Sequence, residues 1–173
     1  MKNIIRKIPI WLLMAWPYIF FIGMLAEIPS FFGIYCILTI VLCVGNIVNA
    51  CNYKGEQTAR ELGLFGMVTK LVHMPFYIVV LLLGIMMAAT MTMETNAMQT
   101  PFVIFFLIII GFLFMITSST YCAKAAMAAK DLGIIKKDMA MMMSICSFIF
   151  VGDVVCAVLI YSKIKKNKMV KMY

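Results

Sequence analysis

This chain contains five apolar runs that are each long enough to cross a bilayer as a helix: 9–27, 31–51, 71–93, 101–121 and 140–162. A helix needs about 20 apolar residues to cross the hydrocarbon core, and backbone within lipid must form its hydrogen bonds internally. Since 65% of the residues are hydrophobic and only 13% are charged, too little polar surface remains for a soluble domain. The sequence therefore predicts an all-α, polytopic membrane helix bundle with about five transmembrane helices, forming a single integral membrane domain.

Two short segments 70 residues apart resemble each other: residues 59–64, Ala-Arg-Glu-Leu-Gly-Leu, and residues 129–134, Ala-Lys-Asp-Leu-Gly-Ile. Glycine often ends a helix in the left-handed conformation, so Gly63 and Gly133 are expected to be C-caps. The second helix would then extend to residue 62 and the fourth to residue 132. This pattern predicts one N-terminal helix followed by two similar helical hairpins. The alternative is that two helices end independently with the same cap.

The basic residues predict an orientation. Cytoplasmic connections carry the excess of Lys and Arg. With a cytoplasmic N-terminus in the cell membrane, ten of the fifteen basic residues lie on the inner side, and the two outer connections contain none. Five crossings would nevertheless place the other five outside, which indicates a miscounted helix or a tail bound to lipid or wall polymer. These five are Lys163, Lys165, Lys166, Lys168 and Lys171.

The N-terminal apolar run has the basic flank of a signal peptide but no small-residue cleavage site after it. We therefore expect an uncleaved first spanning helix. The net charge of +8 comes from residues that flank apolar runs, so no nucleic-acid partner is expected.

Asp153 is the sharpest functional candidate, because it lies inside the fifth apolar run. An ionisable group at membrane depth is costly, and it usually faces a bundle interior or a water-filled cavity. The functional interpretation is a proton or cation site. The alternative is a carboxyl group that is hydrogen-bonded across helices and fixes their packing.

Polar side chains also occur near the inner ends of two predicted helices. Asn46 and Asn49 lie in the second run, while Ser118 and Ser119 lie in the fourth. They are candidates for lining a cavity near the cytosolic face. The alternative is that they form hydrogen bonds between helices, as polar residues in membrane helices commonly do.

No catalytic residue, cofactor or metal site is expected. The chain contains neither GxSxG nor a glycine-rich phosphate loop, and the single histidine, His73, cannot build a typical zinc site. Thioethers are soft ligands that suit Cu(I), and the spacing of Met91 and Met93 resembles that of copper-handling motifs. Flexible packing is the commoner use of methionine.

Two functional hypotheses follow. The first is a small transporter or channel-like protein, or a membrane subunit of one, with Asp153 lining its polar interior. The second is a non-transporting accessory or scaffold protein that docks partners through its cytosolic helix extensions. The lipid bilayer is a partner in both cases, and a homo-oligomer or a larger membrane partner is expected because five helices enclose little volume. The docking candidates are Arg60, Glu61, Lys130 and Asp131.

Overall fold

The computed structural model describes residues 6–26, 31–53, 58–90, 100–149 and 152–170. Within them the chain forms six helices and no strand, which confirms the all-α class. Three of the helices, α2, α3 and α4, are long and apolar enough to cross a membrane, and α1 is a shorter apolar helix. The six helices are α1 (Ile8–Leu25), α2 (Phe31–Cys51), α3 (Thr58–Thr90), α4 (Thr100–Asp131), α5 (Lys137–Cys146) and α6 (Gly152–Val170).

The antiparallel pair α3 and α4 forms the centre of the bundle. Gly66 faces Cys122, and eleven residues further along α3 Tyr77 lies beside Gly111, which is eleven residues before Cys122 on α4. Small buried residues let the two backbones approach closely, as in other membrane helix pairs. These small residues are Ala59, Ala125, Ala126 and Ala129.

Helix α1 packs against α2 and α3. Trp16 Nε1 donates a hydrogen bond of 2.8 Å to Thr39 Oγ1 on α2. On α3, His73 Nε2 lies 3.0 Å from the carbonyl oxygen of Leu13. Lys7 approaches Glu61 at the start of α3, with 3.8 Å between Nζ and Oε1. We call this end of the bundle, where α2 ends and α3 begins, the basic end.

The last two helices fold back on each other. Gly63, near the basic end of α3, lies beside Tyr161 and Ile164 of α6, whereas Lys70, deeper in α3, pairs with Asp153 at the start of α6. Helix α6 is therefore antiparallel to α3 and runs toward the basic end. Helix α5 leaves the same end and extends about 15 Å into the bundle, and the chain reverses direction between Cys146 and Gly152.

This reversal corrects the predicted fifth helix. Residues 140–162 do not form one continuous spanning helix, because α5 ends at Cys146 and α6 begins at Gly152. The carbonyl oxygen of Ser147 accepts hydrogen bonds from the side chains of Lys70 and Ser119, so its partners lie on other helices. These polar contacts with other helices therefore stabilise the chain reversal, although the segment in which it occurs is mostly apolar.

The predicted extension of the second helix to residue 62 is also wrong. Helix α2 ends at Cys51, and the extension belongs instead to α3, which begins at Thr58 rather than at residue 71. Gly63 is consequently not a C-cap. It lies inside α3 beside Ala125 and Ile164, where a Cβ would make only ordinary van der Waals contacts.

The cap at Gly133 is confirmed. Its φ of 68° is left-handed, the amide of Ile134 bonds to the carbonyl of Ala129 and that of Gly133 to the carbonyl of Lys130, each at 2.9 Å. This is the Schellman arrangement. Segment 59–64 therefore starts a helix, whereas 129–134 ends one, and the two similar hairpins expected from the repeat are not confirmed.

Candidate functional site

Asp153 is buried and forms an ion pair with Lys70. Asp153 Oδ2 lies 2.8 Å from Lys70 Nζ, and the two side chains are 5% and 2% exposed, respectively. Lys70 is on α3, about 18 Å along the helix axis from Thr58. The pair therefore lies deep within the bundle, at the tip of the hairpin formed by α5 and α6.

Lys70 makes two further hydrogen bonds with oxygen atoms. Its Nζ lies 3.0 Å from Ser119 Oγ and 3.0 Å from the carbonyl oxygen of Ser147. An ammonium group carries three donors, and all three have partners here. We call the three acceptors, Ser119 Oγ, Ser147 O and Asp153 Oδ2, the Lys70 cage. Its complete hydrogen bonding offsets the cost of removing the two charges from water.

The two half-length helices are oriented favourably for these charges. Ser147 follows the last residue of α5 and presents its carbonyl to the ammonium, while Asp153 lies in the first turn of α6. Helix C-termini favour cations and N-termini favour anions. The break between α5 and α6 therefore provides a suitable electrostatic environment for both members of the pair.

The four other polar candidates are distributed differently. Ser119 joins Asp153 in the Lys70 cage, but Ser118 bonds to the carbonyl of Met115 in its own helix at 3.0 Å. Asn46 Oδ1 accepts a hydrogen bond of 2.9 Å from the Tyr121 hydroxyl, and its Nδ2 donates to the carbonyl of Pro9 at 3.0 Å.

Asn49 belongs to the same network as Asn46. Its Nδ2 lies 3.0 Å from the carbonyl oxygen of Arg6 and 3.3 Å from the Tyr121 hydroxyl. The two asparagines thus connect α2 to α1 and α4. This arrangement matches the interhelical packing alternative, and it leaves Asp153 and Ser119 as the polar candidates that the fold brings together.

The docking candidates lie at the basic end. Arg60, Lys130 and Asp131 are exposed, and Lys130 Nζ lies 3.1 Å from Asp131 Oδ1. Glu61 is half-buried and accepts a hydrogen bond from the Tyr53 hydroxyl. The buried residues of these segments pack α3 against α4, so only their outer faces are available to a partner.

The neighbouring Tyr53 has a perturbed acidity. Burial is the largest cause and the hydrogen bond to Glu61 the next, and together they raise the pKa of Tyr53 well above its usual value of 10.0. The guanidinium of Arg6 lies 5.7 Å from the centre of the Tyr53 ring. These contacts tie the segment before α1 to the start of α3.

Sequence reasoning missed Lys70 and Ser147. The sequence predicts that Lys70 lies in an inner loop, because it precedes the third apolar run. A buried acid favours a basic partner, so Asp153 was the signal for Lys70. The basic tail was a separate signal, because it was inconsistent with a fifth crossing. Ser147 contributes a backbone carbonyl, for which its residue type carries no signal.

An apolar groove of about 650 Å³ lies beyond the hairpin, between the far halves of α3 and α4. Gly84 and Gly111 contribute to its walls, and Phe148 of the reversal lines it too. Within the described residues, no three His, Cys, Asp or Glu side chains are grouped to hold a metal. Met91 and Met93 lie outside the described residues.

Residues 18–166 match the model of a family described as "Family of unknown function (DUF6652)". The matched range includes Lys70, Ser119, Ser147 and Asp153. No curated protein and no solved structure matches the chain.

Proposed function

We propose that this chain, which belongs to the family DUF6652, is an integral membrane transporter of a small cation, with its substrate site at Asp153 and Lys70. The observation that carries the proposal is the buried ion pair at the break between two half-length helices. Ionisable residues within membrane segments commonly mark ion pathways and proton relays.

Discontinuous helices support the same proposal. In several transporter folds, unwound carbonyls and the C-terminal ends of half-helices coordinate cations near the middle of the bilayer. Here the carbonyl of Ser147 and the C-terminal end of α5 point toward a positive charge, the Lys70 ammonium. One chain supplies every residue of the site, so the proposal does not require an oligomer, and it assigns the protein no catalytic chemistry.

The proposed topology has four crossings and one hairpin that enters from the cytoplasm. In this topology α2, α3 and α4, which are long and apolar enough to cross a membrane, are three of the crossings. Helix α1 is the fourth, because its 18 residues span about 27 Å of a hydrocarbon core about 30 Å thick. Helices α5 and α6 enter and leave from the basic end. The basic end carries Arg6, Lys7, Lys163, Lys165 and Lys166. Since cytoplasmic segments carry the excess of Lys and Arg, the proposed topology places this end in the cytoplasm.

Flux measurements on purified protein in proteoliposomes test the proposal. Gradients of H⁺, Na⁺, K⁺ and NH₄⁺ are imposed in both directions, and fluorescent reporters follow each ion. We expect wild-type flux above that of empty vesicles and its loss in Asp153→Asn. Asp131→Asn is the matched control, because Asp131 is exposed and should retain flux. Absence of wild-type flux for all four ions, or undiminished flux in Asp153→Asn, refutes the proposal.

The accessory role makes a different prediction. The exposed residues Arg60, Lys130 and Asp131 provide a docking face at the basic end. Crosslinkers placed at these positions would capture one membrane or cytosolic partner, and substitutions there would release it. If the wild type also moves no cation, docking becomes the better account of the chain.

A further inference from the structure

The Lys70 cage consists only of hydrogen-bond acceptors turned toward one point. Ser119 donates its hydroxyl hydrogen to the carbonyl of Ser147, so a lone pair of Ser119 Oγ faces Lys70 Nζ. The other two oxygens are a carbonyl and a carboxylate, which accept hydrogen bonds. Apart from the lysine itself, this is the ligand set of a cation site.

The dimensions and charge of the cage select a class of cation. Its oxygens lie 2.8 to 3.0 Å from Lys70 Nζ. Magnesium requires oxygens at about 2.0–2.1 Å and calcium at about 2.3–2.6 Å, both shorter than the distances in the cage. Since the cage contains one carboxylate and no sulfur ligand, its single negative charge matches a monovalent cation and not a divalent or soft metal ion.

We infer that the Lys70 cage is a binding site for a monovalent cation of the size of ammonium or potassium, and that Lys70 occupies it as a tethered competitor. The inference rests on the proposed function and names its substrate class. Substrate and lysine cannot occupy the cage together. A cation that binds must therefore displace the lysine side chain, and the lysine must return when the cation leaves.

Removing the lysine should empty the cage and make its ligand exchangeable. The test uses the full chain carrying Lys70→Ala, purified in detergent, with thermal unfolding measured at equal ionic strength in KCl, NH₄Cl or choline chloride. We expect a lowered Tm that KCl and NH₄Cl raise in a saturable manner, with half-saturation at a concentration at least tenfold below that of any choline effect. Wild-type Tm should show no such difference between the salts.

Two further substitutions show whether the cage oxygens are responsible. Adding Ser119→Ala to Lys70→Ala removes one cage oxygen and should abolish the rescue. Adding Ser118→Ala should preserve it, because Ser118 is equally buried but bonds within its own helix. Equal rescue by choline, no rescue by any salt, or rescue that survives Ser119→Ala would each overturn the inference.

If Lys70→Ala does not yield folded protein, Lys70→Ser takes its place. The serine side chain is too short to reach the cage oxygens, so the cage stays open, and calorimetric titration with KCl then measures binding directly. Detectable potassium binding supports the inference, and its absence overturns it.

The transport hypothesis and the cage hypothesis can fail separately. Cation rescue without wild-type flux refutes transport alone, whereas wild-type flux without cation rescue refutes only the hypothesis that the cage binds the cation.

Discussion

Lys70 Nζ lies 2.8 Å from Asp153 Oδ2, although the two residues are 83 positions apart in the chain. The contact joins α3 to the tip of the α5–α6 hairpin. Each charge is buried and would be costly without the other. The pair consequently couples the geometry of the candidate site to the stability of the hairpin.

Replacing one member of the pair should destabilise the protein more than replacing both. Lys70→Met or Asp153→Leu alone leaves an uncompensated buried charge and should lower the free energy of unfolding by about 3–5 kcal/mol. The double variant should recover most of this loss and still lack cation flux. Denaturant unfolding in detergent measures the stability.

The exposed pair Lys130 and Asp131 provides the control for this cycle. Its side chains are 40% and 69% exposed, so Lys130→Met and Asp131→Leu should each change stability by no more than about 1 kcal/mol. Losses in the Lys70 and Asp153 variants that simply add in the double variant would show that the pair is not energetically coupled.

Both chain termini should be on the same side of the membrane. Helix α6 runs antiparallel to α3 and toward the basic end, where Lys7 meets Glu61. Epitope tags placed at the two ends should therefore behave alike. Both should be protected in intact cells, and both should become accessible after permeabilisation. A C-terminal tag accessible from outside would restore five crossings and contradict the hairpin.

Gly66 should be intolerant of any side chain. A Cβ at this position would lie 2.5 Å from Cys122 Sγ and 3.2 Å from the backbone nitrogen of Cys122. Gly66→Ala should force α3 away from α4 and lower stability by about 1–3 kcal/mol, as measured by thermal or denaturant unfolding.

Gly84 on the same helix is the matched control for this substitution. Among the described residues, a Cβ there meets no atom within 4 Å, so Gly84→Ala should be neutral or slightly stabilising. Adding Cys122→Ala to Gly66→Ala should relieve only part of the loss, since the backbone contact remains. Equal stability of the Gly66→Ala and Gly84→Ala variants would contradict the close approach of the two helices.

Tyr53 should make folding sensitive to alkaline pH. Burial and the hydrogen bond to Glu61 raise the pKa of Tyr53 above 10.0, so the folded state favours the neutral phenol. This contribution to stability is fully present below pH 10 and is lost as pH rises through the raised folded-state pKa.

The Tyr53→Phe substitution tests this contribution. It removes a hydrogen bond to a half-buried carboxylate and should cost about 1 kcal/mol at neutral pH, and it should also weaken the decline in stability above pH 10. Unfolding measured across this pH range, with tyrosinate absorbance followed in parallel, checks both effects. A variant with unchanged stability and an unchanged alkaline slope would show that the contact with Glu61 contributes nothing.

Local sequence determined the helical class and several of the helix ends. Long apolar runs require internally bonded backbone in lipid, which is why the bounds of α1 and α4 agree with the prediction to within two residues. The cap at Gly133 was also predictable, because its left-handed conformation depends on the glycine itself. Gly63 shows the limit of this rule, since the same Leu-Gly pair there lies inside α3 and ends no helix.

Tertiary structure alone decided where the chain reverses and what Asp153 contacts. The run 140–162 is predominantly apolar, so its composition indicates burial in lipid or protein but not whether it crosses or folds back. The answer depends on Lys70, a residue 83 positions away that only the packing of α3 against α6 brings to Asp153. Hydrophobicity is a property of a segment and can be read locally, whereas the partner of a buried charge is a property of the fold.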